Sequence, residues 1–427
     1  MTARPRICLV TYNWPPRNAI GTQRAYAWAK YWAQAGAEVV VLTAVKQAYD
    51  APLTLVLPEL PGVRVVEVGP KAALAKPVRH GAVLRVLKRV RDFGSRHLGV
   101  VLDVRDRWVR DAQQVLPSLL EQVDVVVSTH GPRGAHMIAA RMKAAKRTLH
   151  WIADYRDLWS ENHLFALGEA ARRRERKLEC KTMQTADAFT TVSDELAGAL
   201  RRMHGRRVEV VPNGFDPDVL DTIRPLVDEK PVLVYTGRLY RETRDPRPLF
   251  QALADLFREG KLRQDDLYID FYGPRDPWLE AMIQQFGVGE WVRIRGHVSW
   301  QDALSAQAGA AMLLLLEGAG VEAAGMLTGK LFEYLALKRP ILSIGSAGDS
   351  AIARVLRETG CGVTVGQSVV LIKQQLLALL QGRGHDWFKP DDAEISKYSR
   401  RLQALQVLEL IEDRAVSPEG NSGGVQQ

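Results

Sequence analysis

The segment Thr328–Leu342 (TGKLFEYLALKRPIL) places a basic and an acidic side chain at the start of a predicted helix. A helix N-terminus presents unpaired backbone N–H groups and the positive end of the helix dipole, which suits a diphosphate. Gly329 would let a phosphate approach the backbone, Lys330 would add a full positive charge, and Glu333 could accept both hydroxyls of a ribose. The alternative is an ordinary amphipathic helix in which Glu333 is only a favourable N-terminal charge.

A second group of basic residues follows a predicted strand earlier in the same half of the chain. Arg238 lies in Tyr235–Leu239 (YTGRL), and Arg244 comes a few residues later. The planar guanidinium group matches phosphate oxygens through paired hydrogen bonds, which favours an anion site. A lone arginine after a strand is more often a surface residue, so neither residue is sufficient by itself.

In both halves of the chain, short apolar runs typical of strands alternate with helical patterns. Runs such as Arg6–Thr11 and Val232–Thr236 are typical of parallel strands covered on both faces. The repetition predicts an α/β fold of two doubly wound, Rossmann-like domains whose strand ends face a ligand cleft. The predicted boundaries give an N-terminal domain at 1–218, a C-terminal domain at 219–390, a helix crossing back at 391–413 and a disordered tail at 414–427. One amphipathic helix is predicted at Ala393–Glu412.

Composition limits the possible classes of function and the expected cellular compartment. The net charge of +9 predicts attraction to anions, whether nucleic acid, anionic lipid or phosphorylated substrates. Three widely spaced cysteines argue against a disulfide framework or zinc site, and no apolar run is long enough to span a membrane, so we expect a cytoplasmic protein. Scattered histidines predict no metal site. Ile20-Gly21 lacks the further glycines of a dinucleotide-binding motif, so we expect no nicotinamide or flavin cofactor. Nucleic-acid binding is disfavoured because no binding module accompanies the charge.

The segment Thr328–Leu342 resembles the donor-site motif of retaining GT-B glycosyltransferases of family 4. Glu333 matches the glutamate that binds the nucleotide ribose in that family. The family's other glutamate would fall on Gly325, and Glu322 is the nearest substitute. The resemblance therefore implies a nucleotide-sugar donor site whose nucleotide half is better matched than its sugar half.

Further matches to family 4 are distributed along the chain. Val211–Asp216 (VPNGFD) is similar to the turn before the second domain, and Arg238 matches the arginine that contacts the leaving diphosphate. Gly21 keeps one of the paired glycines near the donor phosphates, and His130 in STHGP matches a histidine that contacts the transferred sugar. The resemblance implies a catalytic set of His130, Arg238 and Lys330. The implied donor-binding set is Gly21, Arg238, Arg244, Glu322, Lys330, Leu331 and Glu333.

The segment Asp154–Trp159 (DYRDLW) is similar to a D-x-R-D-x-W pattern of polysaccharide-building members of the family. Asp154, Arg156 and Asp157 lie at the end of a predicted strand, and the resemblance implies that they contact the acceptor. A buried Arg–Asp pair that shapes the loop is the alternative.

A basic segment at 76–110 contains ten Lys or Arg residues and three Asp residues. Its apolar side chains share one face of a predicted helix, as in helices that lie on anionic membranes. The alternative is a helix packed on the sheet with a solvated basic side. We expect peripheral contact with the inner face of a membrane, since comparable enzymes act on lipid-linked sugars.

The resemblance implies a retaining transferase that moves a sugar from a nucleotide-diphosphate sugar to a glycan or lipid-linked acceptor in surface polysaccharide or glycolipid synthesis. Two other functions remain open. A nucleotide-sugar 2-epimerase shares the fold but needs acid and base residues around the sugar ring. A degenerate subunit that only binds nucleotide sugar would fit the glycine at position 325.

Overall fold

The chain forms two compact α/β units in the computed structural model. The structure describes residues 4–70, 101, 103–162, 168–241, 244–318, 327–345, 348, 350–383 and 385–412. The N-terminal unit comprises Met1–Pro212 with Arg400–Gln427, and the C-terminal unit comprises Asn213–Ser399. The sequence interpretation placed the two boundaries after residues 218 and 390.

The N-terminal unit is built on a parallel sheet of seven strands in the order β3-β2-β1-β4-β5-β6-β7. The strands are β1 Arg6–Val10, β2 Glu38–Ala44, β3 Val63–Val68, β4 Val125–Thr129, β5 His150–Tyr155, β6 Ala188–Thr191 and β7 Val208–Val210. Its helices are α1 Ile20–Gln34, α2 Arg107–Asp111, α3 Leu116–Gln122, α4 Gly134–Ala145, α5 Glu169–Met183 and α6 Asp194–His204. The strand order changes direction between β1 and β4, and such a switch point is where open α/β sheets bind ligands.

The C-terminal unit repeats this design with six parallel strands in the order β10-β9-β8-β11-β12-β13. The strands are β8 Val232–Thr236, β9 Tyr268–Tyr272, β10 Val292–Gly296, β11 Met312–Leu316, β12 Ile341–Ile344 and β13 Gly362–Thr364. The helices are α7 Pro217–Leu220, α8 Arg247–Arg258, α9 Pro277–Phe286, α10 Trp300–Gly309, α11 Gly329–Leu337, α12 Ala351–Glu358, α13 Val369–Leu380 and α14 Asp392–Ser396. Both β8 and β11 are buried along their whole length, as expected for central strands covered on two faces.

The last helix, α15 (Arg400–Glu412), packs on α1 within the N-terminal unit. Its carbonyl oxygen at Ala404 accepts a hydrogen bond of 2.8 Å from the indole nitrogen of Trp32. The predicted single helix Ala393–Glu412 is wrong, because α14 ends at Ser396 and α15 begins at Arg400. Between the two helices, the carbonyl oxygen of Tyr398 accepts a hydrogen bond from the backbone N–H of Phe215.

Candidate functional site

A cationic side chain is anchored at the carboxyl end of β8 in the C-terminal unit. Lys330, in the first turn of α11, donates from Nζ to the carbonyl oxygen of Thr236 at 2.5 Å. The same Nζ lies 4.0 Å from the ring centroid of Tyr235. Gly237 has φ +107°, and a Cβ there would come 3.2 Å from Lys330 Nζ. The strand end and the helix start thus enclose the ammonium group, with glycine leaving room for it.

Burial lowers the pKa of Lys330 well below its usual value. Loss of hydration is the largest cause, the positive charge of Arg244 adds to it, and the carboxylate of Glu333 opposes it. A charged amine in such a place lacks full electrostatic compensation. An incoming anion would supply it and stabilise the ammonium form.

Two arginines share this end of the unit. Arg244 donates from Nη1 to the carbonyl oxygen of Arg238 at 3.0 Å, and the hydroxyl of Tyr235 donates to the same oxygen at 3.0 Å. The Arg244 guanidinium also lies 4.8 Å from the ring centroid of Tyr240. Arg238 itself is exposed. These bonds fix the loop backbone at Arg238.

Lys330, Arg238 and Arg244 form no ion pair with any carboxylate in the described part of the chain. By contrast, Arg293 in β10 of the same unit pairs with Asp270. We define these three residues as the cation cluster. Three basic side chains beside a helix N-terminus give this end of the unit a positive potential, which suits an anionic ligand.

Glu333 lies one turn into α11, where it is half-buried. Its Oε1 accepts a hydrogen bond of 3.0 Å from the indole nitrogen of Trp300. Leu331 differs from the prediction of a donor contact: its side chain is fully buried in the core, and its N–H donates to the Thr328 carbonyl at 3.1 Å. Leu331 is therefore a packing residue.

Glu322, which was predicted to bind the donor, and Gly325 lie outside the described residues. Most of the basic segment 76–110 also lies outside them, as do the residues predicted as a tail from position 414.

Two predicted residues of the N-terminal unit, Gly21 and Arg156, meet directly. A Cβ on Gly21 would lie 2.2 Å from Nη1 of Arg156 and 2.8 Å from Nδ2 of Asn13. At Gly131, which has φ +96°, a Cβ would come 2.8 Å from Nη2 of Arg156. Asn13 closes the arrangement by donating from Nδ2 to the Gly131 carbonyl at 2.7 Å. We call this arrangement the glycine cradle of Arg156; it lies where β1, β4 and β5 end.

Asp157, the third residue of the predicted acceptor set, pairs with its neighbour Arg156. The carboxylate is 42% exposed, whereas the Arg156 side chain is 19% exposed. The Asp157 carboxylate therefore faces solvent, whereas the Arg156 guanidinium lies in the glycine cradle.

Asp154 does not pair with Arg156. Its carboxylate accepts 3.1 Å and 2.8 Å hydrogen bonds from Nε and Nη2 of Arg24, and a 2.9 Å bond from Thr190. Both charged side chains are buried, 3% exposed for Arg24 and fully buried for Asp154. This corrects the interpretation of Asp154 as an acceptor contact, since its oxygens are enclosed and already occupied.

Arg24 completes this buried network with the backbone. Its Nη1 donates to the carbonyl of Pro212 at 2.7 Å, and its Nη2 donates to the carbonyl of Val211 at 2.8 Å. The guanidinium carbon also lies 4.3 Å from the ring centroid of Trp28. The pair therefore fixes the start of the segment VPNGFD, which the sequence singled out without a structural reason.

His130 follows β4 and is buried, with 6% of its surface exposed. Its ring stacks 5.6 Å from His136, 5.9 Å from Tyr155 and 6.1 Å from Trp159. Nδ1 has no hydrogen-bond partner among the described residues. Loss of hydration lowers the pKa of His130 to about 4, so the ring is neutral at neutral pH.

Sequence reasoning missed Arg24 and Trp300. Arg24 stands four positions before Trp28 on α1, a spacing that is compatible with stacking on a helix face. That signal was available but does not distinguish a buried arginine from a surface one. Trp300 carries no local signal, because its partner Glu333 belongs to another helix.

Comparison with known families gives one match. The model described as Glycosyltransferase Family 4 matches residues 21–219, which include most of the N-terminal unit. The predicted resemblance to family 4 is confirmed over residues 21–219, which include Gly21, His130, Arg156 and Asp157. No curated protein sequence matches the chain.

Three solved structures share the fold over nearly the whole chain. Sucrose-phosphate synthase from Thermosynechococcus elongatus has a TM-score of 0.60 at 16% identity, covering 97% of this chain and 100% of that one. Anabaena HepE, in complex with UDP and glucose, has a TM-score of 0.57 at 12% identity, covering 96% and 100%. A putative UDP-N-acetylglucosamine 2-epimerase from Listeria monocytogenes has a TM-score of 0.55 at 12% identity, covering 99% and 100%. The predicted fold class, GT-B with two doubly wound units, is confirmed.

No described helix has the length and apolar character needed to cross a bilayer. Within the same residues, no group of three or more His, Cys, Asp or Glu side chains is arranged to hold a metal ion.

Gly21→Ala should act through Arg156. The methyl group would displace the guanidinium, so we expect sugar transfer to fall as far as in Arg156→Ala, with no further loss in the double variant. The free energy of unfolding should stay within about 1 kcal/mol of wild type, because alanine favours the helix and arginine is flexible. Steady-state rates and urea unfolding measure the two effects.

Gly198→Ala is the control. Gly198 is also helical, and a Cβ there would lie 3.3 Å from Nη1 of an arginine, Arg202. Additive losses in the double variant would contradict the cradle.

His130 should remain neutral between about pH 5 and 8. Its pKa is about 4 in the folded chain against the usual 6.5, so protonation favours the unfolded chain. The His130 contribution to stability is therefore fully present above pH 6.5 and decreases as the pH falls towards 4. NMR of the ring, assigned with a His130→Gln variant, follows this titration. A ring that titrates near its ordinary pKa would show that His130 is not buried as described.

Proposed function

We propose that this protein transfers a sugar from a nucleotide-diphosphate sugar to a glycan or lipid-linked acceptor, with retention of anomeric configuration. The observation that carries the proposal is the cation cluster beside the N-terminus of α11, with Glu333 one turn further along the helix. With that spacing, the cation cluster offers positive charge to a diphosphate. The two carboxylate oxygens of Glu333 can accept hydrogen bonds from the hydroxyls of the adjoining ribose. The match of residues 21–219 to family 4 supports this reaction class, and the structure of HepE was solved with UDP and glucose.

The cation cluster would stabilise the diphosphate as it leaves. Negative charge on the departing phosphate oxygens grows as the bond from the anomeric carbon breaks. Arg238 can form a bidentate contact, while Lys330 and the α11 N–H groups add directed charge at the same place. These groups would provide charge compensation without a metal ion, so the proposed reaction requires no cofactor.

In the proposed retaining step, the acceptor hydroxyl attacks the anomeric carbon from the face that the diphosphate leaves. The new bond joins this carbon to the acceptor oxygen, and the acceptor proton passes to an oxygen of the departing phosphate. His130 is neutral near pH 7 and contributes a contact to the sugar rather than a charge. The Arg156–Asp157 pair lies at the switch point of the N-terminal sheet and is proposed as the acceptor-binding part.

The proposed setting is polysaccharide or glycolipid synthesis at the cytoplasmic face of a membrane. Support comes from the basic composition of segment 76–110, which would favour anionic lipid. The acceptor would then be reached while it remains anchored in that membrane.

The test uses the full chain with radiolabelled nucleotide sugars and a membrane extract, with and without EDTA. We expect label in a lipid or glycan fraction in both conditions. An isomerised free donor would instead identify an epimerase, and binding without turnover would identify a non-catalytic subunit. The anomeric configuration of the product, determined by NMR, tests retention.

A further inference from the structure

Trp300 is the first residue of α10, and its side chain reaches across to α11. The indole N–H donates to Oε1 of Glu333 at 3.0 Å, and both side chains are half-buried. A hydrogen bond to an ionised acceptor is roughly twice as strong as one between neutral groups. The hydrogen bond from Trp300 therefore restrains the Glu333 carboxylate strongly, although Glu333 is only half-buried.

The position of Trp300 is itself fixed by the start of its helix. Ser299 caps α10 by accepting from the N–H of Asp302 at 3.1 Å, and its hydroxyl donates to the Asp302 carboxylate at 2.7 Å. Leu304, one turn on, is buried in the unit. The indole is consequently presented from a well-defined helix end rather than from a loop.

Glu333 has three rotatable side-chain bonds, and ordering such a side chain on binding costs free energy. The Trp300 bond occupies one lone pair of Oε1, and no donor from the described residues reaches Oε2. A carboxylate held in this way still has acceptor sites on both oxygens, as the two hydroxyls of a ribose require. The restraint is thus compatible with ligand binding and lowers its entropic cost.

We propose that Trp300 is a positioning residue that holds the Glu333 carboxylate for the ribose diol of the donor nucleotide. The inference rests on the proposed function, because it requires a ribonucleotide at Glu333. It assigns to α10 a part in nucleotide selection that local sequence does not indicate.

The experiment is calorimetric titration of the full chain with UDP, GDP, ADP and CDP, followed by the 2′-deoxy form of the tightest binder. Trp300→Phe keeps an aromatic ring and removes the N–H donor. We expect Trp300→Phe to weaken binding of the ribonucleotide on the order of 10-fold. Binding of the 2′-deoxy form should be weakened by a smaller factor. In a Glu333→Ala background, Trp300→Phe should cause no further loss. In turnover, KM for the donor should rise more than kcat falls.

Trp387→Phe is the matched control. Trp387 is half-buried in the same unit and donates from its indole nitrogen to Gln375 Oε1, also at 3.0 Å. Nucleotide binding by Trp387→Phe should equal that of wild type. Equal binding by Trp300→Phe and Trp387→Phe would overturn the Trp300 inference alone. A wild-type chain that binds none of the four nucleotides would overturn the proposed function as well.

A second measurement covers the case in which Trp300→Phe does not fold. In the ¹⁵N-tryptophan-labelled wild type, the Trp300 indole N–H signal should shift when the tightest ribonucleotide is added. The 2′,3′-dideoxy form should shift it much less. Equal shifts, or none with the ribonucleotide, would contradict the inference.

Discussion

Replacing Lys330 by methionine is expected to lower kcat/KM for sugar transfer by about 10²–10³-fold, the usual cost of removing one preorganised charge at a developing anion. The ammonium is enclosed between the end of β8 and the start of α11, with a 2.5 Å bond to the Thr236 carbonyl. Methionine fills a similar space but offers neither a charge nor a donor. The loss should appear with every donor, because the diphosphate is common to all of them.

Stability should not account for this loss. Burial lowers the pKa of Lys330, which means that the charged form is disfavoured in the folded chain, so methionine removes that penalty. We therefore expect thermal unfolding at or slightly above the wild-type temperature. Lys397→Met is the control, because Lys397 is 63% exposed and pairs with Glu394 on the surface. Unchanged kcat/KM in Lys330→Met would contradict the assignment of the diphosphate site.

Replacing Asp154 by alanine is expected to destabilise the N-terminal unit by about 3–5 kcal/mol, because a buried arginine loses its counter-ion. Arg24 would keep its bonds to the carbonyls of Val211 and Pro212 but would bury an uncompensated charge. Hydrogen exchange of α1 and β5, together with urea unfolding, reports on this unit separately from the other. The double replacement Arg24→Met with Asp154→Leu should recover much of the stability.

Asp157→Ala provides the comparison, since Asp157 belongs to the same motif but is 42% exposed. An exposed ion pair contributes about 0–1 kcal/mol, so Asp157→Ala should unfold nearly as wild type does. If Asp154→Ala were as stable as Asp157→Ala and only transfer were lost, Asp154 would be a substrate contact and the structural assignment would be wrong.

Much of the fold follows from the pattern of apolar residues. Val232–Thr236 is a strand with the predicted bounds, because a central parallel strand is an apolar run with clear ends. Val292–Gly296 also has the predicted bounds, although it is an edge strand in which two arginines alternate with apolar residues. Val63–Val68 was not predicted, since three of its six residues are exposed and its sequence mixes charge with valine. The single helix Ala393–Glu412 failed because the break at residues 397–399 depends on a backbone bond to Phe215, which local periodicity does not contain.

The candidate site was predictable where it depends on strand ends. Parallel strands place their carboxyl ends at one edge of a sheet, so the sequence is sufficient to assign Arg238 and Lys330 to one predicted site. Partners distant in sequence were not predictable. The motif DYRDLW suggested Arg156 as the partner of Asp154, yet the structure pairs Asp154 with Arg24, 130 positions away. Trp300 and Glu333, 33 positions apart, are a second example.

The central claim is that a nucleotide diphosphate binds at the end of β8 and the start of α11. Hydrogen exchange of the full chain, with and without saturating UDP, GDP, ADP or CDP, tests it most directly. With the nucleotide that binds, we expect slower exchange at residues 236–241 and 328–335, and loss of that protection in Lys330→Met. Protection elsewhere without any change in these two segments, or no binding by any of the four nucleotides, would contradict the claim.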